Sequence, residues 1–202
     1  MTSPGKPDGA DDEILRRGLA AFSELGYDHT TVRELAARMG VNRNFIGDRF
    51  GSKAAFWYAV VDFACRDASV WSTPDPALPD DVYVRRTIRG FYRSAVDHPD
   101  LHRLLIDESG RDSERLDYLY RHYIDPSLEH MWTPIGRLQA SGTVPDLPRH
   151  VLFFVIVGPM LGMTHAPLAT HLGRAPHPDS TEMTRHADEL AALVISALDL
   201  TS

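Results

Sequence analysis

The feature that most constrains this chain is a pair of short helical patterns joined by a tight turn, between Thr31 and Phe50. Thr31 and the glutamate three residues later have the spacing of a capping box, and apolar residues then recur at helical spacing. Gly40 ends this first helix, because glycine tolerates the left-handed conformation that often follows a helix. Asn42 is a suitable N-cap for a second helix over residues 43–49. The stretch therefore predicts a helix-turn-helix.

The second helix of such a motif lies in the major groove of DNA, with its first residues at the base edges. Here that helix keeps Ile46 and Phe50 for the interior. It turns outward Arg43, Asn44, Phe45, Gly47 and Arg49. This set contains cations for phosphates and side chains able to reach base edges. The same pattern is also compatible with an ordinary helical hairpin that binds no DNA.

The segments on either side of the motif favour a DNA-binding motif over an ordinary helical hairpin. An amphipathic helix is predicted over residues 11–25 and ends at Gly26, while a glycine stop and a serine N-cap follow the motif. In these segments the chain resembles the tetracycline-repressor (TetR-type) family of transcription regulators. The resemblance is carried by Leu19-Ala20-Ala21-Phe22, Gly26-Tyr27, Thr30-Thr31-Val32-Arg33-Glu34-Leu35-Ala36, Gly40-Val41 and Phe50-Gly51-Ser52-Lys53. Beyond the motif it rests only on length and an all-helical pattern.

The resemblance implies an all-α fold with an N-terminal three-helix head and a larger helical body. The head, residues 11–53, would be the DNA-binding domain, with its motif at 31–50. The body, residues 54–202, would bind a ligand and form the dimer. Such a protein is typically a repressor that a small molecule releases from its operator. By carry-over, the phosphate candidates are Thr31, Asn42, Arg49 and Lys53, and the base-edge candidates are Arg43, Asn44 and Phe45.

The second helix also departs from the family's pattern. The family usually has a small residue where this chain has Phe45, an aromatic residue at Gly47 and often a histidine at Arg49. Asp48 places an anion close to the phosphates, unless it accepts from a cytosine amino group. The operator sequence therefore cannot be inferred from the family. These departures also leave a second hypothesis open, a helical sensor or interaction protein whose degenerate head no longer binds DNA.

Charge and composition support a regulator that meets DNA through its head. Between Ile14 and Lys53 there are seven basic and four acidic residues, whereas the whole chain has a net charge of −7. A cationic head on an acidic body confines DNA contact to the head. Residues 1–10 are polar and rich in proline and glycine, so we expect a disordered tail without a secretory signal. A single cysteine, Cys65, fits a reducing cytoplasm.

The body should contain the ligand site. Residues 72–81 contain three prolines and read as a linker. The helices that follow contain aromatic residues that either line an apolar pocket or simply fill the core: Phe91, Tyr92, Tyr118, Tyr120, Tyr123 and Trp132. The family places its ligand cavity among the corresponding helices, so we expect an apolar or amphipathic small molecule as effector.

Two apolar helices near the C-terminus predict a homodimer. One begins at His150 and runs to about Leu168, with 13 consecutive apolar residues, too few to span a bilayer. The other begins after Asp179. The expected interface residues are Phe153, Phe154, Val157, Leu161, Leu190, Leu193, Val194 and Ala197. A two-fold dimer would present two second helices about 34–36 Å apart and read palindromic double-stranded DNA.

Neither catalysis nor a cofactor is indicated. The sequence lacks the nucleophile elbow, the phosphate-binding loop and the H-E-x-x-H motif. The ten histidines form no set with zinc-ligand spacing, since Pro99 separates His98 from His102 and no cysteine or carboxylate completes a site. We therefore expect no enzyme, no metal and no cofactor.

Overall fold

The computed structural model describes residues 9–68, 75 and 77–200, and within these ranges the chain is all-α, as predicted, with no strand. The first six helices are α1 (Gly9–Leu25), α2 (Val32–Met39), α3 (Phe45–Phe50), α4 (Lys53–Asp67), α5 (Asp80–Asp97) and α6 (Pro99–Ser109). They are followed by α7 (Glu114–Leu119), a π-helical turn (Tyr120–Ile124), α8 (Asp125–Ala140), α9 (Arg149–Val157), a 3-10 turn (Gly158–Met160), α10 (Leu161–Thr164), α11 (Ala166–His171) and α12 (Ser180–Ala197).

The predicted boundaries of the N-terminal tail and of the linker differ from those in the structure. Most of the expected tail, residues 1–8, lies outside the described residues, while residues 9 and 10 already belong to α1. Of the predicted linker, residues 72–74 and 76 also lie outside the description, and α5 begins within the linker's last residues, at Asp80.

The apolar core of the head continues into the body. Phe22 on α1, Ile46 on α3 and Phe56 on α4 are buried in one cluster. The same cluster includes Leu104 on α6 and Leu119 on α7. A displacement of α6 or α7 would therefore shift the side chains that pack against α1, α3 and α4.

The close approach of α1 to α4 depends on Gly18. A Cβ atom at this position would lie 2.6 Å from Cζ of Phe56 and 2.9 Å from Cγ2 of Val60. Only a residue without a side chain lets the two helices pack at this distance.

The body is built around the pairing of α5 with α12. The inward face of α5 is buried as its periodicity predicts. On its outer face, the guanidinium of Arg85 lies 2.6 Å from Asp81, and that of Arg93 lies 2.8 Å from Asp188 on α12. Arg85 and Arg93 are therefore paired with carboxylates of α5 and α12.

A π-helical turn joins α7 to α8. Pro126 has no N–H to donate to the carbonyl of His122, and its ring would collide with that carbonyl in a regular helix. The helix instead takes one extra residue into this turn, and the N–H of Asp125 donates to the carbonyl of Tyr120, five residues earlier. The run from Glu114 to Ala140 is thus helical throughout, with a wider turn in its middle.

The expected single helix over residues 150–168 is wrong. Helix α9 ends at Val157, and Gly158-Pro159 opens a 3-10 turn because Pro159 cannot donate the next helical hydrogen bond. A further break at His165 separates α10 from α11. Among the described residues, no helix combines the length and apolarity that crossing a membrane requires. Helix α12 begins after Asp179 as predicted, and Asp179 caps it by accepting from the N–H of Glu182 at 2.8 Å.

Candidate nucleic-acid interface and body cavity

The first half of the motif has the predicted geometry. Oγ1 of Thr31 accepts from the N–H of Glu34 at 3.1 Å, so the hydroxyl proton of Thr31 remains available to another acceptor. Gly40 is left-handed with φ of +70°, and its N–H donates to the carbonyls of Ala36 and Ala37. These local bonds fix the direction in which the chain leaves α2.

The second helix of the motif begins later than predicted. Asn42 does not cap it directly: its Oδ1 accepts from the N–H of Asn44 at 3.0 Å, and its carbonyl accepts from that of Phe45 at 2.9 Å. Asn42 therefore caps a single turn, and α3 runs from Phe45 to Phe50. Arg43 and Asn44 consequently lie in the turn that leads into the helix.

The start of α3 presents unpaired polar side chains. Arg43 and Asn44 are both exposed. Their side chains make no hydrogen bond or ion pair with the described part of the chain. A Cβ atom at Gly47, one helical turn further on, would meet nothing within 4 Å. This end of α3 is thus open to an external partner.

Phe45 is only half exposed. Its ring packs against Phe50 in an edge-on arrangement with centroids 6.2 Å apart, and Phe50 in turn packs against Phe56 at 4.8 Å. Part of the predicted base-edge residue therefore belongs to the core of the head.

Two predicted phosphate contacts are engaged within the protein. The ammonium of Lys53 donates to the carbonyls of Tyr27 at 2.9 Å and Thr30 at 2.8 Å, and burial lowers its pKa. Arg49 donates to Oδ2 of Asp11 on α1 at 2.6 Å. Sequence spacing could not reveal either partner, because each lies at least 23 residues away.

The remaining cations of the head either pair with carboxylates or lack a polar partner among the described residues. Arg16 and Arg17 pair with Glu13, and Arg38 pairs with Glu24. Arg33, on the exposed side of α2, has no polar partner among the described residues, like Arg43. Sequence reasoning missed Arg33 as a contact candidate, although its outward position on α2 was a usable signal.

Tyr27 links the head to the body. Nζ of Lys53 lies 4.0 Å from the centroid of its ring, and the guanidinium carbon of Arg115 on α7 lies 3.9 Å from the same centroid. Arg115 is itself held by Glu108 at 3.0 Å. The loop before α2 is therefore held by side chains from both α4 and α7.

The body contains an apolar cavity of about 310 Å³ beneath α4. Helices α4, α5 and α6, together with the residue that follows α4, contribute Cys65, Ala68, Phe91, His102, Leu105, Ile106 and Ser109. The π-helical turn, α8, α9 and the 3-10 turn contribute Tyr123, Ile124, Ser127, Phe153, Phe154, Val157 and Met160.

Of the six aromatic residues predicted for a pocket, Phe91 and Tyr123 line this cavity. The other four do not. Tyr92 is fully buried and donates to the carbonyl of Ile156 at 2.7 Å. Tyr118 packs on Tyr58, and Tyr120 is exposed and bonds to Asp125. Trp132 packs on the body core beside Arg149.

Sequence reasoning missed the polar groups of the cavity. His102 is buried beside Ser94, with Nε2 3.1 Å from Oγ, and burial, reinforced by His98, lowers its pKa to about 4. Burial raises the pKa of Cys65 to about 12. Both groups are therefore neutral at physiological pH. No group of three metal-ligating side chains occurs in the described ranges.

The predicted dimer surface is partly exposed. Phe154 and Leu193 are each 67% exposed and Leu161 is 49% exposed. Ala197 is also exposed, while Phe153, Val157 and Leu190 are half-buried. Val194 is 3% exposed and belongs to the core of its own chain, so its assignment to the surface was wrong.

Comparison with known proteins follows this geometry. The family model described as bacterial regulatory proteins, tetR family, matches residues 14–60. No curated protein sequence matches the chain.

Solved structures are similar over nearly the whole chain. A variant of HlyIIR is 19% identical with a TM-score of 0.70, covering 98% of this chain and 99% of that one. The TetR-family regulator PfmR from Thermus thermophilus is 17% identical with a TM-score of 0.63, covering 98% of each chain. AibR, solved with isovaleryl coenzyme A and operator DNA, is 14% identical with a TM-score of 0.65, covering 94% of this chain and 98% of that one.

The fold and the motif together define an all-α protein with a helix-turn-helix head on a helical body. At these identities the solved structures establish the fold alone, and the family model identifies the head. Residues 14–60 thus match the tetR family of bacterial regulatory proteins, and the whole chain shares the fold of the solved structures.

Proposed function

We propose that this protein is a ligand-responsive DNA-binding transcriptional regulator, acting as a repressor that a small molecule releases from its operator. The observation that carries the proposal is the exposed start of α3, where Arg43 and Asn44 lack polar partners among the described residues. This surface lies inside the domain that matches the tetR family model. The head, residues 11–53, would bind DNA, and the body, residues 54–202, would bind the effector and the second subunit.

In this proposal, base edges meet Arg43, Asn44 and the exposed part of Phe45, while the backbone of Gly47 approaches the DNA closely. An arginine can donate two hydrogen bonds to guanine, and an asparagine can both donate to and accept from adenine. Thr31, the N-cap of α2, and Asn42, in the turn before α3, would contact phosphates. Arg33, free and exposed on α2, is added to the phosphate contacts.

Arg49 would change partner on binding. Its ion pair with Asp11 is exposed, with 58% of the arginine side chain accessible. An exposed pair of this kind contributes at most about 1 kcal/mol, so exchange of Asp11 for a phosphate costs little. The pair also screens the head while no DNA is bound.

The second subunit would cover the exposed apolar side chains of α9, α10 and α12, namely Phe154, Leu161 and Leu193. Exposed apolar residues grouped on one side are typical of a subunit contact. A two-fold dimer then presents two copies of α3 to one palindromic operator.

The test is an electrophoretic mobility shift with the DNA upstream of the protein's own gene, repeated over a range of salt concentrations. A shift that weakens steeply with salt supports the regulator, because phosphate contacts release counterions. Light scattering on the same sample should give the mass of a dimer. Absence of any shift at low salt contradicts the proposal and favours a sensor with a degenerate head.

A further inference from the structure

We infer that the body cavity binds an uncharged, mainly apolar molecule that carries a hydroxyl group. The inference rests on the proposed function only for the consequence of binding; occupancy of the cavity can be measured on the protein alone.

The first argument is the absence of charge. None of the described residues that line the cavity is a lysine, arginine, aspartate or glutamate. A carboxylate or phosphate buried here would lose its hydration without gaining a cation, which is strongly unfavourable.

The second argument concerns hydrogen-bond donors, because the hydroxyl groups of the cavity already donate to other partners. Ser127 donates to the carbonyl of Tyr123 at 2.6 Å, and Ser109 donates to that of Ile106 at 2.7 Å. Tyr123 donates to Oδ1 of Asp62 at 2.6 Å. Each of these oxygens retains lone pairs that accept a hydrogen bond, and none has a second proton to give.

His102 does not change this balance. One of its ring nitrogens faces Ser94, so at most one N–H remains for a ligand. A single neutral N–H does not replace the cation or the several donors that a carboxylate needs. A ligand hydroxyl, in contrast, donates to an oxygen of Ser109, Ser127 or Tyr123 while its alkyl or aryl part lies against the apolar lining.

This chemistry differs from that expected by analogy with AibR, which was solved with isovaleryl coenzyme A. A coenzyme A thioester carries phosphates and offers acceptors at its thioester. The lining of this cavity supplies acceptors of its own and no charge. We therefore assign the cavity to alcohols or phenols and not to acyl-coenzyme A thioesters or fatty acids.

Isothermal titration calorimetry on the full-length protein tests the assignment with four probes that share one alkyl chain: 1-octanol, methyl octyl ether, octanoate and octanoyl-coenzyme A. At pH 7.5 we expect 1-octanol to bind at least about tenfold more tightly than octanoate or octanoyl-coenzyme A. We expect it to bind about fivefold more tightly than the ether, which lacks the donor. Failure of 1-octanol to bind, or equal or tighter binding of either anion, would overturn the assignment.

A pair of variants tests the acceptors. The double variant Ser109→Ala, Ser127→Ala should reduce the preference for 1-octanol over the ether and leave binding of the ether unchanged. Ser141→Ala is the matched control, since this exposed serine also bonds to a helix carbonyl but lies outside the cavity. A double variant with the wild-type preference would contradict the role of the serines. Mobility shifts without any probe examine the proposed function separately.

Discussion

The hydroxyl of Tyr123 donates a hydrogen bond of 2.6 Å to Oδ1 of Asp62. Tyr123 is part of the cavity wall, and Asp62 lies on α4, whose first residue, Lys53, holds the loop in front of α2. Tyr118 donates to the same oxygen at 2.6 Å but does not line the cavity. This hydrogen bond thus joins the π-helical part of the cavity wall to α4, which also lines the cavity through Cys65.

Tyr123→Phe should uncouple ligand from DNA. The variant keeps the ring in the cavity wall but loses the bond to Asp62, so a ligand that shifts the ring acts on α4 only through apolar contacts such as that of Cys65. We expect the affinity for operator DNA to differ by less than about twofold with and without 1-octanol. Mobility-shift titrations with and without the alcohol measure this difference.

Tyr118→Phe is the control, because it removes a hydrogen bond to the same charged oxygen. Each variant should lose about 1.5 kcal/mol of unfolding free energy, so stability alone cannot explain a difference between them. Tyr118→Phe should respond to the alcohol as the wild type does. A wild-type response from Tyr123→Phe would show that the coupling takes another route.

Arg43 and Arg33 should differ in what they contribute to DNA binding. Arg43→Ala should change the preferred sequence, costing about 1–3 kcal/mol at one base position, because Arg43 is placed at a base edge. Arg33→Ala should weaken all duplexes alike and lower the salt slope by about 0.9, as expected for one phosphate contact. Binding-site selection and salt titrations distinguish the two, and equal losses on operator and random DNA for both would refute the division.

Lys53→Ala should destabilise the protein before it affects DNA. Removing the ammonium leaves the carbonyls of Tyr27 and Thr30 without this donor, at a cost of about 1–3 kcal/mol. Urea unfolding measures the loss, with Arg33→Ala as an exposed control that should leave stability unchanged. Unchanged stability together with weaker DNA binding would restore the phosphate contact predicted from the sequence.

Two helical glycines should respond oppositely to alanine. At Gly47 a methyl group meets nothing within 4 Å, so Gly47→Ala should stabilise the protein by about 1 kcal/mol while hindering close approach of DNA to α3. At Gly18 a methyl group would collide with Phe56, so Gly18→Ala should destabilise by about 1–3 kcal/mol. Thermal unfolding of both variants checks the signs. Unimpaired DNA binding by Gly47→Ala would mean that DNA does not approach α3 closely at this position.

His102 should make stability depend on pH. Its pKa is lowered to about 4, so the unfolded chain binds a proton below pH 6.5 that the folded chain does not. Stability is therefore full above pH 6.5 and falls by roughly 3 kcal/mol as the pH drops toward 4. Urea unfolding of His102→Gln over this window should show a shallower fall than the wild type. Identical slopes would mean that His102 is not buried as a neutral group.

The motif could be predicted from the sequence because its determinants are local. Thr31 accepts from a residue three positions on, and Gly40 adopts its left-handed conformation irrespective of the body. The roles of Arg49 and Lys53 could not be predicted, since their partners come from α1 and from the loop before α2. A cation's sequence position does not reveal which distant carboxylate or carbonyl will engage it.

The cavity was harder to predict for a similar reason. Aromatic residues were the only sequence signal, and most of them, such as Tyr92, fill the core instead. The polar members, including His102 and Ser127, come from different helices and are brought together only by packing. The break at Gly158-Pro159 follows from Pro159, which cannot donate a helical hydrogen bond, although a single helix was expected through it.

The wide turn between α7 and α8 has a consequence for how the two tyrosines work together. Tyr118 and Tyr123 are five positions apart, a spacing that a regular helix of 3.6 residues per turn would direct to different sides. The additional residue in the turn brings both hydroxyls to one carboxylate. Replacing Pro126 by a residue with an N–H would let an ordinary helix close while the two tyrosines stay five positions apart. Such a chain would retain both phenols yet rotate one of them away, separating sensing from response without altering a single group that performs either.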